Sequence, residues 1–134
     1  MEIANKVKRP LHLLHISTAS EMKLLKSKSQ LITVEVTPQH LTLSSPDCYN
    51  ENGTLVQMNP PIRSKYHQKE LWNGIYNGTV DVIGSDHAPH TLEEKKNDYP
   101  NSPSGMPGIK TMLTLMLNEV SKKKLKLSKL VDLI

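Results

Sequence analysis

Cysteine is nearly missing from this sequence: Cys48 is the one example in 134 residues. An internal disulfide is therefore excluded, and a reducing compartment suits the chain. Long apolar runs are missing too. None approaches the ~20 residues that cross a bilayer, and the opening stretch MEIANKVKRP lacks the apolar centre of a signal peptide. No membrane association is expected, and the cytoplasm is the expected location. A dominant charge is also wanting, since 17 Lys and Arg against 13 Asp and Glu leave a net +4. Most of that charge is scattered. The one cluster, KKKLKLSK (122–129), reads as a solvated face between Leu125, Leu127 and Leu130 rather than a nucleic-acid surface. There is no internal repeat, no low-complexity tract, and no glycine spacing of the phosphate-binding kind. At this length the chain is one small domain or part of a larger one.

What is present is alternation. LHLLHIS (11–17) reads as a strand, and the following TASEMKLLKSK reads as a helix, with Thr18 and Glu21 spaced for a capping box and Ala19, Met22 and Leu25 on one face. LITVEVTP (31–38) is a second strand that ends at Pro38. A connection from Gln39 to Ser64 then carries SSPDCYNENGT, a cluster of turn formers. KELWNGIYNG (69–78) predicts a helix with Leu71 and Ile75 inward and Gly78 as its stop. The third strand, VDVIGSD (80–86), leads into a second long connection from His87 to Met106. PGIKTMLTLMLNEVSKK (107–123) predicts a helix with Ile109, Met112, Leu113, Met116, Leu117 and Val120 inward, and Ser128 is placed to cap another. The order predicts an α/β fold with parallel strands, either a barrel sector or a doubly wound sheet. Connections of about 20 residues are uncommon in compact domains unless they carry function. Both follow the C-terminal end of a strand, where parallel folds place their chemistry.

His15 and Asp86 occupy equivalent places near the ends of the first and third strands, so both face one rim. A neutral imidazole and a carboxylate there can share a divalent metal such as Zn2+, although two ligands do not complete a site. The bland reading of the pair is a hydrogen-bonded histidine and a turn-capping aspartate. Strand alternation turns His12 away from His15, and His12 and His67 read as structural or surface histidines. His90 lies within reach of anything bound above the strand ends. MNPPIRS (58–64) stiffens the backbone with two prolines and offers Asn59 and Arg63, one suited to an amide ring and the other to a carboxylate. SGMPGIKT (104–111) sets Gly105 and Gly108 at a predicted helix start, where backbone N–H groups can receive an anion or carbonyl.

Taken in order, LLHIST, VEVTPQHLTLS, MNPPIRS, GSDHAPHTLEEK and SGMPGIKTML resemble the C-terminal half of a dihydroorotase of the amidohydrolase superfamily. The resemblance runs from about Leu11 onward. It implies that residues 1–134 form an incomplete portion of a (β/α)8 TIM barrel, similar to its last three βα units, with one or two divalent metals such as Zn2+ at the top. It further implies that His15 binds metal and that Asp86 binds metal and shuttles a proton. Asn59, His90, Ser104 and Gly105 match substrate-binding positions. Glu35 matches a carboxylate near the metal in some relatives, and Gln39 stands where relatives show His, leaving His40 as the survivor of a pair. The implied reaction is reversible hydrolysis of dihydroorotate to N-carbamoyl-aspartate in pyrimidine synthesis. The resemblance implies further ligands, a His-x-His pair, a carboxylated lysine or aspartate, and another histidine, and no His-x-His triplet occurs here. Three readings follow from the resemblance: an enzyme completed by an N-terminal half in trans, a non-catalytic scaffold with aspartate transcarbamoylase as partner, and an allantoinase or hydantoinase.

Overall fold

The computed structural model describes residues 1–134. Its centre is a three-stranded parallel sheet in the order β1 (Leu11–Leu13), β2 (Ile32–Val36), β3 (Val82–Ile83). Around it, in chain order, lie α1 (Glu2–Val7), α2 (Ala19–Leu25), α3 (Pro38–Thr42), α4 (Asp47–Asn52), α5 (Lys65–Tyr76), α6 (Leu92–Lys95), α7 (Met112–Ser121) and α8 (Leu127–Leu133). No helix is long and apolar enough to cross a membrane.

The sheet shows why these segments became strands. In β2, Ile32, Val34 and Val36 are buried while Thr33 is exposed and Glu35 half-buried. The β-branched residues on one face meet the helices, and the polar residues between them face away. The core joins Val34, Val36, Val80 and Ile83 to Met22 and Leu25 of α2, Leu71, Trp72 and Ile75 of α5, Met116 of α7, and Leu130 and Leu133 of α8. A doubly wound sheet places helices on both faces. Here the strands follow one another in sequence order with their core on one face, which matches a sector of a barrel wall.

Local signals explain most boundaries. Thr18 and Glu21 form the expected capping box of α2, with Ala19, Met22 and Leu25 buried. The α2–α5 contact is tight at Gly74, where a Cβ would lie 2.6 Å from the Met22 sulfur. Gly78, at φ 79°, takes the left-handed turn after α5.

Several expectations need correction. The strands are shorter than their apolar runs, because pairing ends at Leu13 and Ile83 and the backbone then turns to deliver the polar residues. α5 begins four residues earlier than expected, since Ser64 supplies an extended entry. The first long connection holds α3, initiated by Thr37 accepting from the His40 N–H, and the short α4. α7 begins at Met112 rather than Pro107, which leaves Ile109 outside it. Its inward side is narrower than the pattern suggests: Met116 is fully buried, whereas Leu113 and Leu117 are 47% and 43% exposed. α8 begins at Leu127, so Ser128 lies inside the helix and does not cap it.

Candidate active site

The strand ends form a level rim. Beyond the paired residues, the Ile16 N–H donates to the Glu35 carbonyl at 2.9 Å and the Gly84 N–H to the Val36 carbonyl at 3.0 Å. His15 stands just before the first of these bonds and Asp86 two residues after the second, with φ values of 39° and 44°. Left-handed backbone at a non-glycine residue costs about 1–3 kcal/mol and persists where its surroundings hold it. Only Lys8 and Lys123 share that conformation among the other non-glycine residues.

The braces are visible on both sides. The His15 N–H donates to Glu35 Oε1 at 3.2 Å. Glu35 Oε2 lies 3.5 Å from His12 Nε2, and His12 Nδ1 meets Thr33 Oγ1 at 2.7 Å. The Glu35 carboxylate fits because Gly84 has no side chain; a Cβ there would overlap it. On the Asp86 side, Gln39 Nε2 donates to the Ser85 carbonyl at 3.0 Å, and Gly108 leaves room for that carbonyl. Gln39 thus anchors the residue before Asp86. The His12 side chain joins Glu35 and Thr33, as a structural histidine does.

His40 is buried behind this rim. Its Nε2 meets the Pro60 carbonyl at 2.9 Å and its Nδ1 meets Thr37 Oγ1 at 2.8 Å. A carbonyl only accepts, so Nε2 carries the hydrogen and Nδ1 accepts from the hydroxyl. Burial pushes the His40 pKa below the ordinary histidine value, the Asp86 charge works against that shift, and the His15 charge adds to it. With both ring nitrogens engaged, His40 fastens the Pro60 segment.

A second cluster gathers the other sequence-selected residues. Asn59 Nδ2 donates to Ser104 Oγ at 3.2 Å, and His90 Nε2 meets the Ser104 carbonyl at 3.1 Å. The Gly105 N–H donates to the Gln57 carbonyl at 2.9 Å. Asn59 and Ser104 line a cavity of about 830 Å3 together with Gln57, Tyr49, Thr54 and Tyr99. The expected role of Gly105 and Gly108 as free N–H donors at a helix start changes here. α7 opens later, Gly105 donates to Gln57, and Gly108 donates to His87 Nδ1 at 3.1 Å. His67 likewise has a structural task, accepting from the Ala19 N–H at 2.9 Å where α2 begins.

Three participants were not legible beforehand. Gln57 reaches Ser102 and Ser104 through its amide. Tyr49 donates no signal in sequence, yet its hydroxyl accepts from the Ile62 N–H at 2.8 Å. Lys95 ends α6, whose capping box between Thr91 and Glu94 was available in TLEE as a start signal.

No three His, Cys, Asp or Glu side chains of this chain converge closely enough to hold a metal ion. His15 after β1 and Asp86 after β3 are one imidazole and one carboxylate, residue types that suit part of a nitrogen and oxygen donor set.

No family model matches the chain. The dihydroorotase of Methanosarcina mazei is 39% identical over 142 residues, covering 99% of this chain and 31% of that protein. The dihydroorotase of Methanosphaera stadtmanae is 42% identical over 135 residues, covering 99% and 30%. Among solved structures, the L-hydantoinase (dihydropyrimidinase) from Arthrobacter aurescens matches with a TM-score of 0.90 at 31% identity, over 98% of this chain and 31% of that one. The dihydropyrimidinase from Brevibacillus agri matches with a TM-score of 0.84 at 26% identity, again over 98% and 31%. The chain thus spans just under a third of the length of these relatives. In sequence and in fold, it corresponds to the C-terminal part of a dihydroorotase-like amidohydrolase.

Proposed function

We propose that the chain supplies the last three βα units of a (β/α)8 dihydroorotase and works in the reversible hydrolysis of dihydroorotate to N-carbamoyl-aspartate, a step of pyrimidine synthesis, when an N-terminal portion completes the barrel in trans. The observation that carries this reading is the placement of His15 and Asp86 past the ends of β1 and β3, both in left-handed backbone braced by Glu35 and Gln39.

The two would hold a divalent ion jointly with ligands from the rest of the barrel. When bound, Zn2+ or a similar ion polarises the amide carbonyl and acidifies the attacking water. Asp86 accepts a proton from that water as its oxygen bonds to the carbonyl carbon, then delivers the proton to the ring nitrogen as the C–N bond breaks. Asn59, Ser104 and Gly105 form the wall that receives the ring, and His90 presents its imidazole beside them. Their contribution is positioning. With two donors only, the chain by itself binds divalent metal weakly, and one tight equivalent retained by the purified chain would contradict the scheme.

The decisive assay is metal-dependent turnover of dihydroorotate by the purified chain, with and without the N-terminal portion of the Methanosarcina mazei dihydroorotase, and with Asp86→Ala as control. Activity that arises only on mixing and vanishes in the variant supports the proposal. Silence in both conditions moves the chain to the non-catalytic reading. The fold match to hydantoinases favours a second substrate class, so hydantoin and dihydrouracil belong in the same assay. Turnover of those rings with no turnover of dihydroorotate would reassign the substrate while keeping the chemistry.

A further inference from the structure

The connection after β3 contains a buried cation that the reaction above does not use. Lys95 is 3% exposed. Its Nζ donates to the Gln57 carbonyl and to the Pro103 carbonyl, each at 2.8 Å. Its own carbonyl accepts from Thr54 Oγ1 at 2.8 Å and from Ser102 Oγ at 3.2 Å. Both ends of the residue therefore join the same two pieces of chain, the segment before Asn59 and the segment before Ser104.

Burying an ammonium among neutral partners is costly, and its hydrogen-bond partners here are carbonyls rather than a carboxylate. Burial also pushes the Lys95 pKa below the ordinary lysine value. A methionine would fill the space without that cost. What an ammonium adds is the capacity to hold two carbonyls from separate connections at once. The Gln57 carbonyl is also the acceptor of the Gly105 N–H, and Gln57 Nε2 donates to the Ser102 carbonyl at 2.9 Å. These bonds surround the Asn59–Ser104 contact, whose two residues both line the cavity.

We propose that Lys95 is a positioning residue that fixes Asn59 against Ser104 and Gly105 and so sets the shape of the cavity that takes the cyclic amide. The substrate side of this inference rests on the reading of that cavity given above; the geometric side stands on the chain alone. Loss of the clip loosens ring binding before it slows the chemistry, because Lys95 touches neither His15 nor Asp86.

The test has two arms on the full chain. The first is amide hydrogen exchange in Lys95→Met and Lys95→Arg, reading Gly105 against Val34 and Val36 in β2. The expected result for Lys95→Met is at least about tenfold loss of Gly105 protection with β2 unchanged, and partial rescue in Lys95→Arg. Unchanged Gly105 protection, or equal loss throughout β2, overturns the proposal. Should Lys95→Met not fold, Thr54→Val removes one bond to the Lys95 carbonyl and is expected to give a smaller loss in the same place; no loss there counts against the clip. The second arm uses the completed barrel, where KM for dihydroorotate is expected to rise about tenfold with kcat within about threefold. A fall in kcat at constant KM overturns the positioning role. If the unaltered chain is inactive in that barrel, the functional reading fails, and the exchange arm still decides whether Lys95 holds the wall.

Discussion

Replacing Gly105 with alanine probes the approach of its loop to Ala88 through two separable effects. The first is conformational: Gly105 has φ 114°, where a side chain costs roughly 1–3 kcal/mol. The second is steric, since a Cβ there would lie 2.5 Å from the Ala88 Cβ, and relieving such an overlap typically costs about 1–3 kcal/mol. Gly53 provides the control, with φ 54° and nothing within 4 Å of an added Cβ. Gly53→Ala thus bears the backbone cost alone, and both variants share the gain of ~0.4–1 kcal/mol from a stiffer unfolded chain. Urea denaturation is expected to show Gly105→Ala less stable than Gly53→Ala by about 1–3 kcal/mol. Adding Ala88→Gly should then recover much of that difference, as a double-mutant cycle between touching groups. Equal destabilisation at both glycines, or no recovery in the double variant, would refute the close approach of the two loops.

Three further outcomes follow from the packing. His40 has a lowered pKa through burial, so as pH falls the unfolded chain takes up the proton first; its contribution to stability is complete above the ordinary value of 6.5 and declines below it. Urea midpoints measured from about pH 7.5 down to 5 should fall more steeply for the unaltered chain than for His40→Gln. On α7, Met116→Ala is expected to cost about 2–5 kcal/mol in the same assay, while Leu113→Ser stays within about 0.5 kcal/mol; the reverse order would mean the helix is rotated. Asp81 accepts from the Val34 N–H at 2.7 Å and pairs with Lys28 at 2.9 Å. Asp81→Ala should therefore cost roughly 1–3 kcal/mol, and Asp81→Asn, which keeps an acceptor, clearly less.

The sequence made some features legible and hid others for physical reasons. α2 was readable because its cap and its apolar face obey local rules, and both are met by Thr18, Glu21, Met22 and Leu25. The apolar stripe of α7 misled because periodicity reports which residues are apolar, not how many find a partner: Leu113 and Leu117 fit the pattern and remain exposed. His15 and Asp86 stand out in the sequence from their places at strand ends. Their left-handed backbone was not foreseeable, since neither is glycine and the braces come from Glu35 and Gln39, 20 and 46 positions away along the chain in the bonds to His15 and Ser85. Lys95 escaped notice for a similar reason. Nothing in TLEEK says that its final ammonium turns inward to two carbonyls from other segments.

The sequential order of the sheet bears on how fast the chain reaches this structure. β1 pairs with β2 and β2 with β3, while α2 packs on α5 and α7 on α8. These partners follow one another as elements but lie far apart along the chain: Leu11 pairs with Ile32 and Glu35 with Val82, and α2 ends at Leu25 while α5 begins at Lys65. The entropy of closing such loops is spent before the parallel pairing rewards it, and that relation favours slower folding than helix pairs or hairpins built on local contacts.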